Sequence, residues 1–281
     1  MSFSTIAQAL DWAKSQLAQG ESPVIDAKVL LCHVLDCSNT KLITHPELAL
    51  SAQETQRFTT LVLKRQQGQP VSYLTGNQDF WTLTLDVNEH TLIPRPETEL
   101  LVERVLSLNN LAKPRILDLG TGTGAIALAL ASELPLSDVV AVDLIDEAVV
   151  LAKQNAKKHN LNHVEVFQSE WFSKIPEQTF DFIVTNPPYV EARSEWLSEG
   201  DVRFEPDSAL TSGEDGLDDI RLIVEQAYTW LKPHGWLLIE HGHLQSDAIQ
   251  KLFIKHDYHQ VCAENDYSGL PRICYAQKTV A

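Results

Sequence analysis

The residues best suited to chemistry form the tetrapeptide Asn186-Pro187-Pro188-Tyr189, which follows a short apolar run typical of a buried strand. Both prolines have a fixed φ and no N–H, so they hold the backbone rigid and use no neighbouring acceptor. The Asn186 side-chain oxygen and the Pro187 carbonyl are therefore free to accept both protons of one –NH₂ group, and Tyr189 offers a flat face for a planar amide or base. Two acceptors that hold both N–H bonds can orient a weakly nucleophilic nitrogen toward the methyl group of a sulfonium. They also stabilise the positive charge that builds up on that nitrogen.

A glycine-rich loop upstream joins a predicted strand to a predicted helix. Its residues are Gly120, Thr121, Gly122, Thr123 and Gly124. Glycines allow a tight turn and close approach to a ligand, and the helix N-terminus supplies free N–H groups. Asp143 ends the next predicted strand, where an acidic side chain can bind both ribose hydroxyls of a nucleoside cofactor. The spacing Gly120-x-Gly122-x-x-Ala125 also fits a dinucleotide loop, but Asp118 just before the loop favours S-adenosylmethionine.

The elements that must position these residues alternate between strand and helix from Arg115 onward. The candidate strands are Arg115–Leu119, Val139–Asp143, Val164–Phe167, Phe180–Thr185, Trp236–His241, Tyr258–Ala263 and Arg272–Gln277. Helical stretches are predicted at 97–107, 124–134, 146–159 and 217–231. This alternation predicts an α/β fold, with a mostly parallel sheet and helices on both faces. The carboxyl ends of parallel strands share one edge, so Asn186 and the glycine loop should face the same crevice.

The first 75 residues carry helix-start signals and helical spacing of apolar residues instead of alternating strands and helices. This pattern predicts a small all-α helical bundle. Helix-start signals are Ser4, Ser22 before Pro23, and the capping box from Ser51 to Glu54, and a final short helix ends at Gly76. The run Phe80–Val87 alternates as a hairpin or linking strand does. We therefore predict a helical substrate-docking domain at 1–75, a β-hairpin linker at 76–93 and a catalytic domain at 94–281.

Charge and composition exclude several classes of protein. The chain has 281 residues and a net charge of −16, with 22 Lys and Arg against 38 Asp and Glu. Residues 1–75 hold six basic and six acidic side chains, so the whole excess lies in 76–281. Such acidity argues against direct binding to nucleic acid or to an anionic membrane. No apolar run is long enough to span a membrane, and no signal peptide is evident.

Cysteine and histidine spacing predicts neither a disulfide framework nor a metal site. None of the four Cys forms a C-x-x-C pair, which favours a reduced, cytoplasmic location. His241 and His243 would share one side of a strand, but no third ligand stands at a recognisable spacing. We expect a cytoplasmic monomer that binds no metal.

Taken together, the segment Asp118–Gly124 and Asn186-Pro-Pro-Tyr189 resemble the class I, Rossmann-like S-adenosylmethionine-dependent methyltransferases that act on planar –NH₂ groups. More narrowly, the chain resembles the protein-(glutamine-N5) methyltransferases of the HemK/PrmC type, which modify peptide chain release factors. The resemblance covers nearly the whole chain. Its other stretches are Arg65–Gly76, Leu92–Glu99, Gln168–Phe172, Phe204–Pro206, Glu240–Gly242 and Asp266–Gly269.

The resemblance implies a role for each matching residue. The loop Gly120–Gly124 would cradle the methionine part of S-adenosylmethionine, Asp143 would bind its ribose, and Trp171 would lie along its adenine. Asn186 and the Pro187 carbonyl would hold the substrate glutamine amide, beside Pro188 and with Tyr189 packed on it. The implied partners are class 1 peptide chain release factors, methylated in a Gly-Gly-Gln sequence. Glu170 stands where the family commonly has Asp and is not assigned to the site.

Other functions remain open on the sequence. The crevice residues barely distinguish a release factor from a ribosomal-protein glutamine as the substrate. Adenine-N6 and guanine-N2 methyltransferases share an Asn/Asp-Pro-Pro-Tyr sequence but need a basic target-recognition region. A cofactor-binding module without catalysis and an NAD-dependent dehydrogenase are the remaining alternatives.

Overall fold

The computed structural model describes residues 3–279, which divide into two units. The first unit comprises the described residues up to Asn77 together with Ser198–Phe204. The second comprises Gln78–Leu197 and the described residues from Glu205 onward. Within the described range, no helix has both the length and the apolar character needed to cross a membrane. Residues 3–279 also contain no group of three His, Cys, Asp or Glu that could hold a metal ion.

The first unit is helical. Its helices are α1 (Ile6–Gln16), α2 (Pro23–Leu35), α3 (Asn39–Thr44), α4 (Ala52–Gln66) and α5 (Val71–Thr75). The predicted capping box of α4 is present, because Glu54 N–H donates to Ser51 Oγ over 3.2 Å and Ser51 N–H donates back to Glu54 Oε2 over 2.7 Å. The N-cap of α1 is Thr5, one residue beyond the predicted Ser4. Helix α3 has no counterpart among the sequence predictions.

The segment Ser198–Phe204 joins the helical unit through buried charge. Arg65 on α4 is largely buried, and its Nε lies 2.7 Å from Asp26 Oδ2. Its Nη1 bonds to Asp201, and Arg203 donates to the Gln67 carbonyl over 2.9 Å. A buried guanidinium without carboxylate partners would be strongly unfavourable. Asp201 therefore supplies part of the charge balance that this unit needs.

A two-stranded hairpin opens the second unit's chain. Strands β1 (Asn77–Phe80) and β2 (Leu83–Asp86) pair, and the turn between them places Trp81 at φ +56°. The predicted run Phe80–Val87 is thus split by the turn rather than continuous. Asn155 fixes the hairpin, since its side chain accepts from the Asp86 N–H over 2.8 Å and donates to the Asp86 carbonyl over 3.0 Å.

The second unit is built on a seven-stranded sheet with the order β5-β4-β3-β6-β7-β9-β8. The strands are β3 (Arg115–Leu119), β4 (Asp138–Asp143), β5 (Glu165–Gln168), β6 (Phe180–Thr185), β7 (Leu231–Glu240), β8 (Tyr258–Asn265) and β9 (Pro271–Lys278). Strands β3 to β7 are parallel, and β9 runs antiparallel to both of its neighbours. This arrangement confirms the predicted α/β class. Strand β7 begins earlier than predicted, because Leu231 already pairs with Phe180.

Helices cover both faces of this sheet. They are α6 (Glu99–Leu108), α7 (Ala125–Glu133), α8 (Asp146–Lys158), α9 (Asp218–Trp230) and α10 (Ser246–Lys255). Side chains of α6, α7 and α8 form one apolar cluster with the sheet, and those of α9 and α10 form a second. Near-continuous apolar strands such as Val139–Val142 are expected where both faces are covered.

Candidate active site

The ends of β3 and β6 bring the two predicted sequence clusters together. Leu119 is paired in register with Thr185, and the Thr185 hydroxyl donates to the Leu119 carbonyl over 2.8 Å. Gly120 and Asn186 are the next residues, so they follow adjacent parallel strands at one edge of the sheet. This confirms the expectation that the glycine loop and Asn186 share a crevice.

The glycine loop is fixed by the neighbouring strand. The N–H groups of Gly120 and Thr121 both donate to the Val142 carbonyl on β4, each over 2.9 Å. Gly120 has φ +70° and Gly122 has φ +54°, a left-handed conformation that favours glycine. The Thr123 carbonyl accepts from the buried Asn155 side chain over 2.9 Å, which also holds the hairpin.

Asp118 lies fully buried beneath the loop. Its Oδ2 accepts from the Thr121 hydroxyl over 2.6 Å and from the Ala127 N–H over 3.2 Å, whereas Oδ1 has no partner among the described residues. Burial raises the pKa of this carboxyl to about 7, and the charge of Asp143 adds to the rise against these two hydrogen bonds. A buried acceptor with spare capacity is unusual outside functional sites.

Asp143 ends β4 beside the loop. Its Oδ2 accepts from the Gly122 N–H over 2.8 Å and its Oδ1 from the Ile145 N–H over 3.0 Å. Burial raises its pKa, while these backbone hydrogen bonds act to lower it. Each carboxylate oxygen has two lone pairs, so Asp143 retains acceptor capacity for a ligand.

A cavity of about 230 Å³ opens beside these residues. Of the predicted site residues, its walls include Gly120, Thr121, Gly122, Thr123, Asp143, Trp171, Asn186 and Pro188. A Cβ added at Gly120 would lie 3.5 Å from the Trp171 ring, so the absence of a side chain leaves room there. Ser169 supports Trp171, because its hydroxyl donates to the Trp171 carbonyl over 2.9 Å.

Three predicted residues lie outside the cavity wall, namely Gly124, Pro187 and Tyr189. Gly124 is the N-cap of α7, where a Cβ would lie 3.0 Å from the Leu128 side chain, so helix packing accounts for this glycine. Pro187 is buried. Tyr189 packs against the apolar cluster formed with α9 and α10.

Asn186 and Tyr189 each have a side-chain hydrogen-bond partner, and the partner of Asn186 is Thr98, which also lines the cavity. The Asn186 Nδ2 donates to Thr98 Oγ1 over 3.2 Å. The Oδ1 of Asn186 is therefore the end of the amide that can accept hydrogen bonds from a ligand. The Tyr189 hydroxyl donates to Glu240 Oε1 over 3.3 Å. Burial raises the pKa of Tyr189, so its phenol remains neutral.

Glu240, at the end of β7, is only 1% exposed. Burial raises its pKa to about 7. The Thr98 side chain, the positive charge of Arg272 and the Tyr189 hydroxyl act to lower this pKa, and the charge of Glu97 acts to raise it. Thr98 and Glu240 were singled out in the sequence only as members of stretches that resemble the family. Thr98 lies in the family-like stretch Leu92–Glu99, and Glu240 lies in the stretch Glu240–Gly242. Membership in these stretches is the sequence feature that could have identified both residues.

The chain matches two family models. The model described as the PrmC N-terminal domain matches residues 8–76, and the methyltransferase small domain matches residues 96–199. The first match lies in the helical unit, and the second includes the glycine loop and Asn186. Both regions also carry the resemblance noted in the sequence.

Curated relatives are similar over almost the whole chain. The chain is 47% identical to the release factor glutamine methyltransferase of Shewanella oneidensis, over 96% of this chain and 94% of the relative. It is 46% identical to that of Aliivibrio fischeri, over 94% of this chain and 93% of the relative. A solved methyltransferase from Pyrococcus furiosus shares the fold, with a TM-score of 0.53 at 18% identity, over 70% of this chain and 90% of that one. The chain is therefore a methyltransferase that belongs to the release factor glutamine methyltransferase family.

Proposed function

We propose that this protein transfers the methyl group of S-adenosylmethionine to the side-chain amide nitrogen, N5, of the glutamine in the Gly-Gly-Gln sequence of class 1 peptide chain release factors. The observation that carries the proposal is the orientation of Asn186. Its –NH₂ group is used by Thr98, so its oxygen is the end available to an incoming amide, beside the cavity of the glycine loop. The identity to named relatives over nearly the full chain supports this choice of substrate.

The residues present fit S-adenosylmethionine. When bound, this cofactor supplies an electrophilic methyl group on a sulfonium. The side-chain-free surface at Gly120 gives a close backbone approach for its methionine part, and the spare lone pairs of Asp143 suit its ribose hydroxyls. Trp171 provides an aromatic wall for its adenine. Thr121, Gly122 and Thr123 complete the cradle.

The chain's own residues orient the substrate amide. Asn186 Oδ1 and the Pro187 carbonyl accept the two N–H groups of the glutamine side chain, and Pro188 and Tyr189 limit its movement. Holding both N–H bonds fixes the nitrogen toward the cavity and stabilises positive charge that develops on it. As the amide nitrogen bonds to the methyl group, the bond between methyl and sulfur breaks and its electron pair stays on sulfur. The nitrogen releases one of its two protons to water, so the product amide keeps one N–H.

The test is labelling with radioactive S-adenosylmethionine. An intact release factor should be labelled, and the same factor with its Gly-Gly-Gln glutamine replaced by alanine should not. Asn186→Ala should abolish labelling of the intact factor while retaining cofactor binding in calorimetry. Equal labelling of both factors would refute the proposed acceptor.

We propose that the helical domain at 1–75 docks the rest of the release factor, with the linker at 76–93 leading to the catalytic domain at 94–281. A short Gly-Gly-Gln peptide has nothing to place on such a docking surface. It should therefore be methylated with a much higher KM than the intact factor, and an equal KM would contradict the docking role.

A further inference from the structure

Two buried side chains next to Asn186 and Tyr189 have no part in the function proposed so far. Thr98, 4% exposed, ends a short 3₁₀ turn at Pro96–Thr98, and Glu240, 1% exposed, ends β7. Both lie next to the residues that grip the substrate amide, since Thr98 contacts Asn186 and Glu240 contacts Tyr189. Buried polar groups are costly unless their hydrogen-bonding capacity is used, so this arrangement needs a reason.

An asparagine side chain has two ends of similar shape and opposite function. Its oxygen accepts hydrogen bonds, and its –NH₂ group only donates. A flip of the Asn186 amide would aim –NH₂ at the –NH₂ of the substrate, and two donors would face each other. Only the partners of Asn186 decide between the two orientations. The partner observed is Thr98 Oγ1, which accepts from Nδ2 over 3.2 Å.

The threonine hydroxyl can hold this orientation only if its own hydrogen points elsewhere. Its O–H needs a buried acceptor, because a hydrogen aimed at Asn186 would stabilise the flipped amide. Glu240 can supply that acceptor, because its Oε2 is buried and has no hydrogen-bond partner among the described residues. The Thr98 side chain is also the group that acts most strongly to lower the pKa of Glu240. Tyr189 donates to the other oxygen, Oε1, so Oε2 remains available to the Thr98 hydroxyl. Hydrogen bonds in active sites commonly tighten when substrate binds.

We propose that Thr98 and Glu240 are positioning residues that hold the Asn186 amide with its oxygen toward the substrate. Glu240 accepts the Thr98 hydroxyl, Thr98 accepts the Asn186 –NH₂, and the same carboxylate accepts the Tyr189 hydroxyl. One buried carboxylate thereby orients both polar side chains of Asn186-Pro-Pro-Tyr189. This inference rests on the proposed function and deepens it by adding a specificity device for an –NH₂ acceptor.

The chain of hydrogen bonds depends on the charge of Glu240. An ionised carboxylate only accepts, whereas a protonated one also donates and can turn the Thr98 hydroxyl toward Asn186. The charged and titratable groups that act on Glu240 are Arg272, Tyr189 and Glu97. His241, the next residue, faces away to Cys274, with 3.2 Å between Nε2 and Sγ. Since the pKa of Glu240 is about 7, the device should weaken below neutral pH.

The first experiment compares Thr98→Val, Thr98→Ser and Asn186→Ala in release-factor methylation, with cofactor affinity from calorimetry. Valine keeps the shape of threonine but removes the hydroxyl. We expect Thr98→Val to lower kcat by about 10- to 100-fold with the cofactor dissociation constant nearly unchanged. This is less than the roughly 100- to 1000-fold loss when a donor that touches the transition state is removed, because Thr98 acts through Asn186. Thr98→Ser should recover most of the loss, because serine restores the hydroxyl. Thr211→Val, which removes a hydroxyl bonded to the Asp207 carbonyl, is the control.

The second experiment measures the pH profile of kcat for the wild-type enzyme and Glu240→Gln. The wild type should lose activity as pH falls through about 7, and Glu240→Gln should lack this acid limb. The thermal transition of each variant reports whether it is folded.

Each result has a definite meaning. Full kcat in Thr98→Val, an equal loss in Thr98→Ser, or an acid limb unchanged in Glu240→Gln would overturn the positioning role. Full activity in Asn186→Ala would instead overturn the proposed function itself, so the two failures are distinguishable.

Discussion

Asp143 bonds directly to the glycine-rich loop, because its carboxylate accepts from the Gly122 N–H over 2.8 Å. Its second oxygen accepts from the Ile145 N–H over 3.0 Å, at the residue that precedes α8. One side chain therefore fixes both the loop before α7 and the turn before α8. The proposed ribose contact and this structural role share a single carboxylate.

Replacing Asp143 should weaken cofactor binding selectively. Asp143→Asn keeps the shape but exchanges one acceptor oxygen for a donor, which faces a backbone N–H or a ribose hydroxyl. We expect the dissociation constant of S-adenosylmethionine to rise by about 10- to 100-fold, as hydrogen bonds to charged groups contribute about 1.5–3 kcal/mol. Asp146→Asn, at an exposed position three residues along, is the matched control. Calorimetry that gives both variants the wild-type affinity would contradict the role of Asp143.

Gly120→Ala should narrow the cavity as well as strain the backbone. Gly120 has φ +70°, and its added Cβ would lie 3.5 Å from the Trp171 ring. Gly269 has φ +83° with no heavy atom within 4 Å of an added Cβ, so Gly269→Ala is a control for backbone strain alone. Both substitutions should reduce the free energy of unfolding by about 1–2 kcal/mol. Only Gly120→Ala should also reduce cofactor affinity, and similar affinities in the two variants would show that the loop does not approach the ligand.

The buried carboxyls should make stability depend on pH. The pKa of Asp118 rises from 3.8 to about 7 and that of Glu240 from 4.5 to about 7 on burial. Between these values the folded chain binds more protons than the unfolded chain. The free energy of unfolding therefore falls as pH rises toward 7, by up to about 1.4 kcal/mol per pH unit for each carboxyl.

Urea denaturation between about pH 5 and pH 7 measures this slope. Glu240→Gln should show a shallower decline than the wild type, because it removes one of the carboxyls whose pKa is raised by burial. An identical slope in both proteins would mean that Glu240 titrates normally in the folded state.

The acidity of residues 76–281 should affect how the substrate associates. All of the −16 net charge lies in this part of the chain, whereas residues 1–75 are neutral. A factor that works against ribosomal RNA should carry basic surface, and opposite charges accelerate encounter. We expect kcat/KM for the intact factor to fall as salt rises, while a short neutral Gly-Gly-Gln peptide is little affected. Salt-independent kinetics with the intact factor would count against steering.

Much of the catalytic framework is predictable from local pattern. Strands β3 and β6 match their predicted bounds at Arg115–Leu119 and Phe180–Thr185, since apolar runs between turn residues define buried parallel strands. Their adjacency then follows from topology, and it brings Gly120 and Asn186 to one edge. The contact between Asn186 and Thr98 spans 88 positions and depends on one hydroxyl, so no local pattern carries it. Helix α3 has only six residues and buries only Leu42, so no helical period can be recognised in its sequence.

The bond between Arg65 and Asp201 affects the order in which the chain can be completed. The two residues are 136 positions apart, and synthesis proceeds from the N-terminus. The three longer helices of the first unit leave the ribosome early, but the second carboxylate for Arg65 arrives only after β3, β4, β5 and β6 have been made. Until then, Arg65 has Asp26 as a carboxylate partner and the Gln69 carbonyl as a neutral acceptor, but not Asp201. During its own translation, this unit therefore reaches its final set of ion pairs only after most of the catalytic sheet has emerged.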